Sequence, residues 1–232
     1  MSDTALLDKL KTYDTPTICN ALEVVDPARR LTGFTVKPLV CPFPALPPMV
    51  GYAKTATIRS THAHELDAGK AREQRIAYYE YVASTPAPGI MVIQDLDGPD
   101  AGFGAFWGEV MSAVHKGLGC LGVVTDGSIR DIDQWAPGFQ VLAGSIVPSH
   151  AHVHLADFGK EVRVAGMLVR SGDLVHADRH GAVTIPATLA PKIAAACDLL
   201  ARKEAVILEM ARAPGFNVAK LREALAKQDE IH

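Results

Sequence analysis

The run GVVTDGSIRD, residues 122–131, starts as an apolar strand and ends as a charged turn. Extended by two residues to CLGVVTDG, it shows no polar alternation until its end, as expected of a strand covered on both faces in a parallel sheet. Gly127 is expected to take the turn, and Arg130 and Asp131 follow as adjacent opposite charges. On the residues alone two readings stay open. The pair is either a surface ion pair, worth about 0–1 kcal/mol, or it holds a ligand between its charges.

Upstream, GEVMSAVHKG (108–117) suits a helix that begins just after the loop DGPDAGFGAFW (97–107). GIMVIQDLDG (89–98) reads as a second buried strand, and HELDAGKAREQRIAYYEYVAS (64–84) as an amphipathic helix ending before Pro86 and Pro88. GYAKTATIRS (51–60) alternates with period two and reads as a strand. The Pro-rich KPLVCPFPALPPMVG (37–51) is excluded from regular helix and is expected to wrap the surface or a sheet edge. Leu6, Leu7 and Leu10 mark a first short helix. Thr15 is expected to cap a second one, with Pro16 at its first position.

Downstream, DIDQWAPG (131–138) predicts a short helix and QVLAGSIVPS (140–149) a strand. Residues 153–186 predict several short strands joined by Gly turns, and Leu189 to about Arg212 a long amphipathic helix. A last charged helix is expected after Pro214-Gly215. The alternation of helix and strand followed by a β-rich part predicts an α/β core with a β-rich layer and a C-terminal helical extension. One domain over residues 1–232 is expected, with its core at about 14–200 and its C-terminal helices at about 189–232.

Composition excludes several classes. With 48% hydrophobic residues, 21% charged residues and a net charge of −3, the chain has no nucleic-acid-binding charge excess and no acidic tail. No stretch approaches the roughly 18 apolar residues of a membrane span. Cys19, Cys41, Cys120 and Cys197 stand far apart without CxxC spacing, which suits thiols of a reducing compartment and predicts a cytoplasmic address. The glycines of GFGAFWG do not have dinucleotide-binding spacing, and no nucleophile elbow, P-loop, HExxH or methyl-donor-binding loop occurs.

Ligands of α/β folds sit outside the C-terminal ends of strands, and two strands here end in acidic Gly turns, QDLDG (94–98) and TDGSIRD (125–131). Both ends are expected to meet at one site. Gly108-Glu109 opens a helix whose free N–H groups near Val110 and Met111 suit an anion, with Gly104 and Gly108 permitting close approach. Asp131 is a candidate ligand for a hard divalent ion, Arg130 a planar cation and Glu109 a second carboxylate. One carboxylate plus waters is a common way to hold Mg²⁺ or Mn²⁺. A 2-oxo acid would complete such a site, with its carboxylate on the helix N-terminus and its keto oxygen at the metal and Arg130. Glu109 also has a bland reading, since the macrodipole favours an acid in a first turn.

The run GAFWGEVMSAVHKGLGCLGVVTDGSIRD (104–131) resembles the signature of the 4-hydroxy-4-methyl-2-oxoglutarate aldolase and ribonuclease E regulator A-like family. Gly108-Glu109 opens the helix, Gly119-Cys120-Leu121-Gly122 precedes the strand, and Gly127-Ser128-Ile129-Arg130-Asp131 follows it. TPTICNALE, GYAKTATI and SGDLVHADRHGAVTIP carry a weaker likeness, so that the resemblance spans most of residues 14–200. It implies a swivelling β/β/α domain, a homotrimer often paired into a hexamer, and a site in the cleft between subunits. It further implies Mg²⁺ or Mn²⁺ on Asp131, Arg130 at the pyruvoyl keto oxygen, and the substrate carboxylate on the amides of Val110 and Met111. Glu109 stands at the acidic position that orients a metal water, where some members have Asp. The activity implied is a pyruvate-releasing lyase acting on 4-hydroxy-2-oxo acids and on oxaloacetate. The alternative is a regulator that binds a protein partner such as a ribonuclease.

Other residues carry competing readings. His150, His152 and His154 have period-two spacing and would share one face of a strand, as a zinc site or merely a polar face or subunit contact. His62 and His64 share that spacing. Phe103, Phe106 and Trp107 either shape a substrate pocket or pack. Asp178 and His180 are expected to serve a tight turn.

Overall fold

The computed structural model describes residues 3–231. Met1, Ser2 and His232, which the 1–232 domain expectation takes in, lie outside the described residues. Helices α1 (Asp3–Leu10) and α2 (Thr15–Val25) lead through the Pro-rich segment to strand β1 (Met49–Arg59). There follow α3 (Ala68–Ala83), β2 (Gly89–Asp95), β3 (Ala105–Trp107), α4 (Glu109–Gly117), β4 (Cys120–Thr125) and β5 (Ser128–Ile129). The β-rich part comprises β6 (Gln140–Leu142), β7 (Ser145–Ile146), β8 (His154–Phe158), β9 (Val162–Val164), β10 (Met167–Val169), β11 (Leu174–Asp178) and β12 (Gly181–Ile185). Helices α5 (Ala190–Arg212) and α6 (Val218–Asp229) close the chain. The α/β class with a C-terminal helical extension is therefore observed. No helix among the described residues is long and apolar enough to cross a membrane.

The main sheet runs β12-β11-β1-β2-β4-β6, with β8 also on β1. Strands β1, β2, β4 and β6 are parallel, whereas β11 and β8 run antiparallel to β1 along its first and second halves. Alternate residues of β2 feed two cores, as a strand covered on both faces requires. Ile90 and Val92 meet the β9–β10 hairpin through Val164 and Met167, while Met91 and Ile93 join Tyr78, Trp107 and Phe139. A third core joins α1, α2 and α5 over β12, where Leu10, Ile18 and Ile193 are fully buried.

Several local expectations are corrected. Asp14, not Thr15, caps α2, its carboxylate accepting from the Thr17 N–H at 2.9 Å. Thr15 is helical and ties α2 to the sheet, its N–H donating to Asp178 Oδ2 at 2.9 Å. QVLAGSIVPS is two strands in two sheets, because the chain turns at Gly144, where a Cβ would lie 2.2 Å from the Asp126 carbonyl oxygen. The loop before α4 contains the short strand β3, and DIDQWAPG forms only a single 3-10 turn at Ile132–Gln134. The Pro-rich segment follows its expectation: Val40 and Ala143 exchange both backbone hydrogen bonds just beyond β6.

Candidate functional site

A small parallel sheet, β3-β5-β7, builds the site. Its register sets Trp107 opposite Ile129, so the residues that follow, Gly108-Glu109 and Arg130-Asp131, leave the sheet side by side. The Arg130 N–H donates to the Trp107 carbonyl at 2.9 Å and extends that register by one residue. Gly108 then becomes the N-cap of α4, and the first intrahelical bond runs from the Ser112 N–H to the Gly108 carbonyl at 3.0 Å. The N–H groups of Glu109, Val110 and Met111 consequently have no partner within the helix, and that of Glu109 donates to Asp131 Oδ2, which leaves those of Val110 and Met111 as the free donors of the first turn.

Asp131 adopts left-handed backbone at φ 54°, ψ 42°. Gly127 does not take that conformation, so the positive φ of this turn belongs to the aspartate and not to the glycine. Asp is among the few non-glycine residues that tolerate it, at a cost that recurs at functional sites. Its Oδ2 lies 3.4 Å from the Glu109 N–H and 3.5 Å from Arg130 Nε. A Cβ on Gly108 would stand 2.4 Å from that oxygen, so the carboxylate tip occupies the space that a side chain would fill. Among the described residues no donor bonds Asp131 Oδ1. The side chains of Arg130 and Asp131 are 36% and 40% exposed, and Glu109 and Val110 are exposed as well.

Thus the structure brings Gly108, Glu109, Val110, Met111, Arg130 and Asp131 together, as the sequence reading expected. Among the described residues no group of three or more His, Cys, Asp or Glu is assembled around a common point. A divalent ion here would have one protein carboxylate and otherwise water, a set that suits Mg²⁺, which sheds its waters reluctantly. The absent side chain at Gly108 lets the Asp131 carboxylate sit there with Oδ1 turned outward, which fits such an ion.

Helix α4 is held from behind. His115, fully buried, points Nδ1 at the Met111 carbonyl (2.7 Å) and Nε2 at the Tyr78 hydroxyl (2.7 Å). A carbonyl only accepts, so Nδ1 carries the proton and Nε2 accepts from the tyrosine. Burial lowers this imidazole to about 4, which keeps it neutral. Trp107 packs on the same ring with centroids 4.6 Å apart and is itself fully buried. It is therefore a packing residue, Phe103 is exposed, and only Phe106 faces a cleft. Sequence reasoning missed His115 and Tyr78, because a lone His inside a helix pattern carries no signal of its partner.

The two acidic turns do meet, though not at Asp131. The Asp95 N–H donates to Asp126 Oδ1 at 2.8 Å, and Asp95 in turn accepts from the N–H groups of Gly102 and Asp97. Burial pushes Asp126 up to about 6, against the pull of its backbone donors, and also raises Asp95. These carboxylates brace loops. Asp178 does the same, accepting from Thr15 and His180; burial pushes it up, but those hydrogen bonds hold it below the usual carboxylate range.

The shared-face reading of the histidines fails. Strand β8 begins only at His154, and Ala151 at φ 44° interrupts the extended backbone, so His150, His152 and His154 share no strand face. His150 and His154 each turn Nδ1 to a nearby backbone carbonyl. His64 meets His154 edge-on at 4.5 Å and accepts from the Leu66 N–H, while His62 pairs with the Thr61 hydroxyl. All four cysteines are free thiols, and burial pushes Cys120 and Cys197 up to about 12.

An α/β chain with this paired sheet-end and helix-start geometry matches the family described as RraA-like, Aldolase/RraA, over residues 15–184. The chain belongs to that family. It is 27% identical over 163 residues to a Halalkalibacterium halodurans protein named "Putative 4-hydroxy-4-methyl-2-oxoglutarate aldolase", covering 67% of this chain and 76% of that one. Solved structures share the fold. An uncharacterized Pseudomonas syringae pv. tomato protein superposes with a TM-score of 0.73 at 20% identity, covering 97% of this chain and 94% of that one. Streptomyces coelicolor RraAS2, titled an unusual member of the RNase ES inhibitor RraA family, gives 0.67 at 22% identity over 90% and 96%.

Proposed function

We propose that this chain is a divalent-metal-dependent lyase that releases pyruvate from 4-hydroxy-2-oxo acids and carbon dioxide from oxaloacetate. The observation that carries the reading is the left-handed Asp131, its carboxylate tip seated against the missing side chain of Gly108 and next to Arg130. Asp131 would hold Mg²⁺ or Mn²⁺, with Glu109 orienting water beside it. When bound, the dication supplies Lewis-acid polarisation of the keto oxygen.

The free N–H groups of Val110 and Met111 receive the substrate carboxylate at the positive end of α4. The Arg130 guanidinium donates to the keto oxygen. As the C3–C4 bond breaks, its electron pair moves into the pyruvate enolate and the C4 hydroxyl proton leaves to water held by Glu109. Charge grows on the keto oxygen in that step, so the contribution of Arg130 is larger in the transition state than in the ground state. A homotrimer or hexamer is part of the proposal, supported by a cluster that is open on a single chain. A cytoplasmic address goes with the four free thiols.

A coupled pyruvate assay over 4-hydroxy-2-oxo acids and oxaloacetate, with and without added metal, tests the reading. Turnover is expected with Mg²⁺ or Mn²⁺ and is expected to stop with EDTA and in Asp131→Ala. Metal-independent turnover, or an active Asp131→Ala enzyme, rejects it. A silent assay together with capture of a ribonuclease favours a regulator instead.

A further inference from the structure

Next to the proposed site lies a cleft of about 220 Å³ that no role above uses. Tyr79, Phe106, Met111, Val153 and Leu155 form its walls, and Arg75 stands at its exposed edge. Two of these walls belong to the site's own elements. Phe106 lies two residues before Gly108 on β3, and Met111 contributes its main-chain N–H to the first turn of α4 while its side chain lines the cleft. The Tyr79 hydroxyl donates to Met111 Sδ at 3.6 Å, which fixes the thioether as a wall.

We infer that this cleft receives the non-pyruvoyl half of the substrate, and that the substrate class is 4-hydroxy-2-oxo acids ending in a single aromatic ring or a branched apolar group. The inference rests on the lyase reading above. An apolar cavity of about 150 Å³ accommodates benzene, so the present volume has room for one ring. No carboxylate lines the cleft, which disfavours a cationic tail; His64, Gln74 and His154 stand at one side of it beside Arg75, but most of the wall is apolar, which favours a ring or branched group over a second carboxylate directly on C4. Cleavage of 4-hydroxy-2-oxo-4-phenylbutanoate would break C3–C4, release benzaldehyde as the C4 hydroxyl loses its proton, and leave an enolate that is protonated at C3 to give pyruvate.

Binding and turnover are measured together. By calorimetry with Mg²⁺, 2-oxo-4-phenylbutanoate, which lacks the 4-hydroxyl and does not cleave, is expected to bind at least tenfold more tightly than pyruvate. Ala71→Trp, which fills the cleft from α3, is expected to erase that preference, and Phe106→Ala to reduce it. In turnover, the ratio of kcat/KM for the phenyl substrate to that for 4-hydroxy-4-methyl-2-oxoglutarate is expected to exceed ten and to fall at least tenfold in Ala71→Trp. Equal binding of the two ligands to the native chain, or a preference that survives Ala71→Trp, overturns the inference. A binding preference erased by Ala71→Trp without turnover of any compound retains the cleft and rejects the lyase reading. Turnover confined to the diacid retains the lyase reading and rejects the cleft.

Discussion

Asp126 and Asp131 stand five residues apart on either side of β5, carry the same side chain and do opposite things. Asp126 is drawn inward, accepts the Asp95 N–H at 2.8 Å, and is pushed up to about 6 by burial. Asp131 is thrown outward by a left-handed backbone, is 40% exposed, and keeps Oδ1 free of donors among the described residues. The lesson is that satisfaction, not residue type, separates a structural carboxylate from a ligand. A carboxylate drawn inward onto a backbone donor is committed to holding the fold. One that is held in place by its neighbours yet open on one side is left to meet a metal or substrate.

Asp131→Asn tests the comparison where the effect is largest. Asn tolerates left-handed backbone as Asp does, so the fold is kept while the negative charge is lost. Pyruvate release is expected to fall about 10³-fold, with a change in unfolding free energy within about 0.5 kcal/mol. A loss of both together would mean that Asp131, like Asp126, is a brace. Gly108→Ala is the next test. Gly108 is extended at φ −165°, so backbone strain is not at issue; the added Cβ meets the tip of the Asp131 side chain. That tip swings away at little cost in stability, but a displacement of about 1 Å at a catalytic group costs about 10²-fold. Unchanged activity would show that the carboxylate need not sit where it does.

How much of this was legible beforehand differs between the two aspartates. The outward cluster was readable because its parts are local: Gly108-Glu109 and Arg130-Asp131 are each contiguous, and a parallel register is all that joins them. That register rests on β3, which was not foreseen, since three residues are too few to show a period. The inward partners were illegible for another reason. Asp126 with Asp95, and Tyr78 with His115, are pairs 31 and 37 residues apart whose meeting depends on tertiary packing. The three histidines misled because period-two spacing has meaning only on a strand, and Ala151 turns the chain before β8 begins. The long apolar runs and the helices after Leu189 were the easiest to read, because their length lets periodicity outweigh any single residue.

Asp126→Ala examines the inward partner and is expected to act on stability alone. It leaves the Asp95 N–H buried without an acceptor, a cost of about 1–3 kcal/mol, equivalent to a lowering of Tm by about 3–10 °C for a chain of this size. The proposed activity, assayed well below that Tm, is expected to fall far less than in Asp131→Asn. A variant as stable as the native chain would show that the bond between the two acidic turns contributes nothing.

The smallest effect is a pH dependence, and its sign is fixed by the direction of the Asp126 shift. Burial raises the folded-state value to about 6, above the ordinary unfolded value near 4. Between those two values the folded chain binds more proton than the unfolded one, so the stability that this group contributes is full below about pH 4 and declines as pH rises to about 6. Asp126→Asn cannot titrate, yet its side-chain oxygen can still accept from Asp95. The native chain is therefore expected to lose stability relative to Asp126→Asn as pH rises from 4 to 7, with most of the change complete by about pH 6. Asp97 and Asp178, held below their usual range by hydrogen bonds, pull the other way in both proteins and cancel in the difference. Denaturant titrations of the pair at several pH values read this directly. A difference that stays flat, or that grows in favour of the native chain as pH rises, would show that backbone donors outweigh burial at Asp126, and the contrast with Asp131 would then rest on exposure alone.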